Sequence, residues 1–146
     1  MLMEKIQQDL VVAMKQKEQL KLNTLRLIKT ALTNKEIDLG HPLDPALQIT
    51  VLTTLKKQRE DAATQYLQAG RTELALQEQQ ELAIIQQYLP EPLSMDELKI
   101  IIEATIQEQQ ATSIKAMGQV VKSVIDKTKG RADGKIISAE VKSRLN

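Results

Sequence analysis

The stretch Tyr88-Leu-Pro-Glu-Pro-Leu-Ser94 divides this chain of 146 residues into two parts. Two prolines separated by one residue cannot both lie inside a helix, because each lacks a backbone N–H and restricts the residue before it. Ser94 can cap a following helix, and Glu97 three residues later can complete a capping box. We therefore expect a short connector over residues 90–94, with a helical part on each side.

Apolar residues on both sides of the connector recur at the spacing of an amphipathic helix. In the N-terminal part we expect four helices, over residues 3–17, 19–37, 45–69 and 71–89. Asp44 is expected to cap the third helix, and Gly70 to join the last two into an antiparallel hairpin. Three short helices are expected after the connector. The predicted fold class is all-α, with a long-helix domain over residues 1–89 and a small three-helix domain over residues 95–146.

The composition supports an aliphatic, helical interior and limits the chemistry. The chain has no Trp, no Phe and no Cys, and its aromatic residues are Tyr66 and Tyr88. The absence of cysteine excludes disulfides, thiol nucleophiles and cysteine metal sites. The N-terminus enters a helical pattern without a signal peptide, and no apolar run approaches the ~18 residues that span a bilayer. These features predict a cytoplasmic protein with no membrane partner.

Two charged residues fall inside the apolar stripes of the predicted hairpin, Arg59 on its first helix and Glu78 on its second. Counting from the turn at Gly70 places them within about one helical turn of each other. We expect an Arg59–Glu78 ion pair that fixes the register of the hairpin, with Glu81 as the alternative partner.

No arrangement of residues typical of an active site occurs in the sequence. His41 is the only histidine, and it stands alone in the loop before Pro45. A metal site needs several ligands, so we expect an exposed loop histidine, and we predict no catalytic site, no metal and no cofactor.

The C-terminal part is basic. Residues 111–146 carry eight cations and three anions, a net charge of +5, which favours a polyanionic partner or a solvated lysine-rich surface. Lys115, Lys122 and Lys129 share one face of the predicted helices. The loop between Lys127 and Lys135 holds four cations and two glycines, which allow close approach of an anion. The same loop has a purely structural interpretation, in which Gly130 ends one helix and Asp133 caps the next.

Five segments, taken together and in this order, resemble the YqeY-like family, which is related to the tail domain of the B subunit of the tRNA-dependent Asp/Glu amidotransferase. They are Thr24-Leu-Arg-Leu-Ile-Lys-Thr-Ala-Leu, Lys57-Gln-Arg59 with Ala69-Gly-Arg71, Tyr88-Leu-Pro, Met117-Gly118 and Lys129-Gly-Arg-Ala-Asp-Gly-Lys135. The resemblance implies an all-α fold with a small C-terminal domain related to that tail, which in the amidotransferase is taken to help hold tRNA. It also carries a family label, carbon–nitrogen ligase with glutamine as amido donor, whose chemistry lies in another domain of the amidotransferase.

The leading expectation is a non-catalytic accessory module that binds tRNA or another RNA. Its phosphate contacts are expected from Lys115, Lys122, Lys129, Arg131 and Lys135. A helical module that docks on a protein partner through the face of Gly118, where a second helix can approach closely, is the first alternative. The ligase activity of the family label is the second, and no residue in the sequence is assigned to it.

Overall fold

The structure, a computed structural model, describes residues 1–145. Contacts between residues group the chain into two compact units, one spanning Met1–Leu89 and the other beginning at Pro90. Helices make up both units, and no β-strand occurs among the described residues. The expected all-α fold class is confirmed.

The first unit contains four helices, α1 (Leu2–Lys15), α2 (Gln19–Leu39), α3 (Pro45–Gln68) and α4 (Thr72–Gln86). Asp44 caps α3 as expected, because its carboxylate accepts a hydrogen bond of 2.8 Å from the Leu47 amide. The hairpin of α3 and α4 is the most extensive helix pair of this unit. Its turn contains Gly70 with φ of 74°, a left-handed conformation that glycine adopts without the steric cost of a Cβ.

The aliphatic core of the first unit uses only part of the hairpin. Its buried residues come from all four helices and from the loop before α3: Ile6, Leu10, Ala13, Leu22, Leu25, Ile28, Leu32, Leu43, Leu52, Leu55 and Ile85. The part of the hairpin between Arg59 and Glu81 lies outside this cluster, and its buried residues are the two alanines Ala63 and Ala75. Charged side chains therefore occupy positions between α3 and α4 that aliphatic residues fill elsewhere in the unit.

The second unit contains α5 (Met95–Gln109), α6 (Met117–Thr128) and α7 (Gly134–Arg144), and a short 3₁₀ turn, Ile114–Ala116, leads into α6. Ser94 and Glu97 form the expected capping box at the start of α5. All three helices supply the core, whose buried residues are Leu98, Ile102, Val120, Val124, Ile137, Val141 and Leu145. In α6 the side that faces this core is defined by Val120 and Val124.

Candidate functional site

Three lysines form an exposed row along the 3₁₀ turn and α6. Lys115, Lys122 and Lys129 are all solvent-exposed, and we refer to them as the lysine row. Successive lysines are seven residues apart in the sequence: Lys115 lies in the 3₁₀ turn, Lys122 within α6, and Lys129 at the C-cap that ends α6. The ion pairs that the described residues of this unit form involve Lys127 and Arg144 instead. The lysine row thus presents its charge to solvent.

The buried side of α6 determines where the lysine row points. Val120 and Val124 are fully buried in the core of the second unit. Lys122 stands two residues from each of them, and a step of two residues turns about 200° around a helix. Packing of the valines therefore holds Lys122 on the opposite, solvent-facing side.

Two other cations of the basic C-terminal part are used inside the unit. Lys127 Nζ donates hydrogen bonds to Glu108 at 2.8 Å and to the Thr105 hydroxyl at 2.9 Å, which ties α6 to α5. Arg144 contacts Glu140 at 2.9 Å and Glu103 at 3.3 Å, which ties α7 to α5. Two of the eight cations of residues 111–146 therefore connect helices of the unit.

The basic loop after α6 is shaped by backbone geometry and by the connector. Lys129 and Gly130 both have left-handed φ angles, 49° and 80°, and end α6. Arg131 holds the connector in place: its Nε donates to the Glu91 carbonyl at 2.8 Å, and its own carbonyl accepts from the Leu93 amide at 2.8 Å. In the described residues the terminal guanidinium nitrogens of Arg131 have no hydrogen-bond or ionic partner.

The N-terminus of α7 is occupied by a side chain of the same loop. Asp133 caps the helix as expected, accepting a hydrogen bond of 2.8 Å from the Lys135 amide. A carboxylate at this end competes with an anion for the free N–H groups. The Lys135 side chain is exposed in the first turn of α7, so the loop contributes cations rather than a backbone cradle for phosphate.

A row of mostly apolar residues runs beside the lysine row. Gly118, Val121 and Ile125 are spaced by three and four residues and share one side of α6, and Ile114 precedes them in the 3₁₀ turn. We call these four residues the α6 stripe. Ile114 is 43% exposed and Ile125 45% exposed, while Val121 is half-buried. A Cβ added to Gly118 would meet no atom within 4 Å, so no helix of the chain packs closely against it. Of the neighbouring apolar residues Val121, Val124 and Ile125, only Val124 is fully buried.

The charged cluster of the first unit has three members. Arg59 Nε lies 3.5 Å from Glu78 Oε2 and 3.0 Å from Glu81 Oε2, so Glu81 is the nearer partner. All three side chains are less than about one quarter exposed, and neither Arg59 Nε nor Glu78 Oε2 has a hydrogen bond of good geometry. Burial raises the pKa of Glu78 above its usual value, the Glu81 carboxylate adds to the rise, and the charge of Arg59 opposes it.

A second polar contact in this unit was not predicted from the sequence. The Tyr88 hydroxyl donates a hydrogen bond to Asp9 of α1, and Lys5 Nζ lies 3.5 Å from the same carboxylate. Burial, together with the bond to Asp9, raises the pKa of the Tyr88 phenol. Because 79 residues separate Tyr88 from Asp9, only the packed fold brings them together.

The remaining predictions about ligands concern His41 and metals. His41 is exposed, and its Nδ1 lies 2.9 Å from the Pro42 carbonyl. Residues 1–145 contain no group of three or more His, Asp or Glu side chains arranged to hold a metal ion. The helices of that same range are each too short or too polar to cross a membrane.

Comparison with known proteins places the chain in a family. A family profile described as Yqey-like protein matches residues 3–145. The chain is also similar to proteins named altered inheritance of mitochondria protein 41, mitochondrial. The one from Vanderwaltozyma polyspora is 38% identical over 85 residues, 58% of this chain and 46% of that protein. The one from Saccharomyces cerevisiae (strain YJM789) is 30% identical over 139 residues, 92% of this chain and 72% of that protein.

The names of these relatives contradict the expected cytoplasmic location. They are named as mitochondrial proteins, so the expectation of a cytoplasmic protein is wrong. That expectation rested on the helical pattern at the start of the given sequence and on the lack of an apolar span, and neither feature fixes the compartment of a helical protein. The match spans about half the length of the Vanderwaltozyma polyspora relative. With a family profile that covers residues 3–145 and relatives at 30% identity or more, this chain belongs to the Yqey-like protein family.

Proposed function

We propose that this protein is a non-catalytic accessory module that binds the phosphate backbone of RNA through the lysine row. The observation that supports this most directly is the exposure of Lys115, Lys122 and Lys129, in the 3₁₀ turn, in α6 and at its C-cap, with no carboxylate partner in the described residues. Phosphate attracts such a row, and each lysine that neutralises a phosphate releases a counterion, which favours binding at low salt.

The chemistry of this surface favours contact with the backbone over recognition of bases. Bases of single-stranded RNA are commonly read by stacking on aromatic rings or on guanidinium planes. The chain has no Trp or Phe, and Tyr66 and Tyr88 both belong to the first unit. Arg131 and Lys135 can add phosphate contacts at the loop that follows the row. We propose tRNA as the first RNA to test, because the family resemblance relates this chain to the tail of the amidotransferase B subunit.

The same proposal includes the organisation of the chain. We regard residues 1–89 and 95–146 as separate domains joined by the connector, with the RNA-binding lysines confined to the second. The grouping of contacts into two units that meet at Leu89 and Pro90 supports this division.

The test is fluorescence anisotropy of labelled bulk tRNA with the full chain at two salt concentrations. The variant Lys115→Ala/Lys122→Ala/Lys129→Ala removes the row, and Lys15→Ala/Lys57→Ala/Lys99→Ala removes the same charge from exposed lysines elsewhere. We expect the first variant to flatten the salt dependence by about one unit of slope per lysine and to bind at least roughly tenfold more weakly, and the second to bind like wild type. Equal binding by the two variants, or no binding of wild type at low salt, would overturn the proposal.

A further inference from the structure

The α6 stripe is an apolar surface that the fold of the second unit leaves partly uncovered. Ile114 and Ile125 each expose close to half of their surface, and Val121 between them is half-buried against the core of the unit. The core of the unit is built from the neighbouring positions Val120 and Val124. Single exposed apolar residues are common, but a row aligned along one helix is typical of an interaction surface.

Gly118 is the second observation that points to a partner. Glycine is a poor helix former and is usually explained by a left-handed φ or by a close neighbour. Gly118 has neither: its φ is not in the left-handed region, and a Cβ there would touch nothing within 4 Å. A glycine within an exposed apolar row gives a second helix room to approach α6 closely.

The charges beside the stripe indicate what that second helix carries. The lysine row borders the stripe along its length, since Lys115 follows Ile114 and Lys122 follows Val121 in the sequence. Asp126 is the only carboxylate in α6, and helical spacing places it beyond the lysine row, away from the stripe. Another copy of α6 would bring lysines against lysines, whereas a helix with carboxylates along one edge would neutralise them.

We infer that the α6 stripe docks an amphipathic helix of a partner protein, with acidic residues along the edge that meets the lysine row. The partner's apolar side would cover Ile114, Val121 and Ile125, and its backbone would come closest at Gly118. This goes beyond RNA binding and does not rest on it, because isoleucine side chains add nothing to a contact with phosphates. RNA and the acidic helix would compete for the lysine row.

The test uses a designed helical peptide of about 18 residues, long enough to match the stripe. One version has leucines on one side and glutamates along the adjoining edge, and a second carries lysines in place of the glutamates. Binding to the full chain is measured by calorimetry and by the NMR signals of isoleucine methyl groups. We expect the acidic peptide to bind at least roughly tenfold more tightly than the basic one, with methyl shifts at Ile114 and Ile125.

Matched variants separate this surface from the rest of the molecule. Ile114→Ser/Ile125→Ser should weaken binding of the acidic peptide at least about tenfold. Gly118→Leu should weaken it to the same extent, because the leucine side chain blocks the close approach of the peptide helix, while circular dichroism shows an intact fold. Ile136→Ser removes an isoleucine of equal exposure, 45%, from α7 and should leave binding unchanged. The Ile114→Ser/Ile125→Ser variant should also bind tRNA like wild type, so the two proposals can fail independently.

Several results would overturn the inference. One is no binding of the acidic peptide at about 1 mM, and another is equal binding of the acidic and basic peptides. If Ile114→Ser/Ile125→Ser weakened tRNA binding as much as loss of the lysine row does, the stripe would belong to the RNA surface. If wild type alone self-associated and that variant did not, the occupant would be a second copy of the chain.

Discussion

At the scale of single residues, Arg59 forms the ionic contacts that join the two helices of the α3–α4 hairpin. It is the only cation that contacts Glu78 and Glu81 in the described residues, and all three side chains are mostly shielded from water. Removal of Arg59 would leave two partly buried carboxylates facing each other without compensation, and an uncompensated buried polar group costs about 1–3 kcal/mol, more when charged.

The first prediction is that Arg59→Met lowers the free energy of unfolding at neutral pH by about 1–3 kcal/mol. Methionine keeps most of the aliphatic length of arginine, so the loss reflects the missing charge more than packing. Urea denaturation followed by circular dichroism measures it. Lys57→Met is the control, because Lys57 is an exposed cation on the same helix. Equal stability of the two variants would show that the cluster contributes nothing to the hairpin.

The second prediction concerns the protonation of Glu78, whose pKa is raised in the folded state, first by burial and then by Glu81. The folded state therefore binds this proton more tightly than the unfolded state, and its contribution to stability is lost as pH rises through the folded pKa. Glu78→Gln imitates the protonated form. We expect it to be more stable than wild type at pH values well above the usual carboxyl pKa of 4.5, with the difference shrinking as the pH falls towards that value.

Urea denaturation at several pH values tests this dependence. Asp61→Asn serves as the control, since Asp61 is an exposed carboxylate on α3 without an ion pair in the described residues. A stability difference between Glu78→Gln and wild type that did not vary with pH would contradict a raised pKa at this position.

At the scale of helices and loops, the features that could be predicted from sequence are those fixed locally. Asp44, Ser94 and Asp133 each cap the helix that follows them within a few residues, and all three caps were predictable from residue type and spacing. Arg59 could be placed near Glu78 and Glu81 for a similar reason, since a tight turn at Gly70 relates positions on α3 and α4 by counting alone.

The candidate site was less predictable because it depends on packing between helices. Apolar residues in α6 form two adjacent rows, one with Val120 and Val124 and one with Val121 and Ile125, and periodicity alone does not say which row is buried. Packing with α5 and α7 buries the first row completely, whereas Val121 is half-buried against the same core and Ile125 stays exposed. Lys127 belonged to the predicted basic loop, yet its long side chain reaches Glu108 on α5, a contact that sequence spacing does not reveal.

The third prediction concerns the connector that precedes α5. Arg131 holds it through the bond from its Nε to the Glu91 carbonyl, and the Leu93 amide donates to the Arg131 backbone. We expect Arg131→Met to speed hydrogen exchange of the Leu93 amide by about two- to tenfold, the range that corresponds to loss of one typical hydrogen bond. Lys135→Met removes the same charge from an exposed site and should leave the Leu93 rate unchanged. Equal rates in the two variants would mean that the side chain of Arg131 does not secure the connector.

At the scale of the whole molecule, the two units have aliphatic cores of different size. Eleven buried residues form the cluster of the first unit, and seven form that of the second. A small unit buries a smaller fraction of its surface on folding and is correspondingly less stable. If the units are independent domains, as we propose, the second should unfold at a lower denaturant concentration than the first.

The aromatic residues of the chain make this fourth prediction measurable without a label. Tyr66 and Tyr88 both lie in the first unit, and the chain has no Trp or Phe, so tyrosine fluorescence follows that unit while far-ultraviolet circular dichroism follows the helices of both. In urea we expect the dichroism signal to begin its loss before the fluorescence changes. Ile102→Ala truncates a fully buried side chain of the second unit. It should lower the free energy of unfolding of the early phase by roughly 2–5 kcal/mol, which moves that phase to lower urea, and leave the tyrosine transition in place. Coincident transitions that shift together in Ile102→Ala would show that the chain unfolds as one cooperative unit, because two-state unfolding gives the same midpoint with every probe.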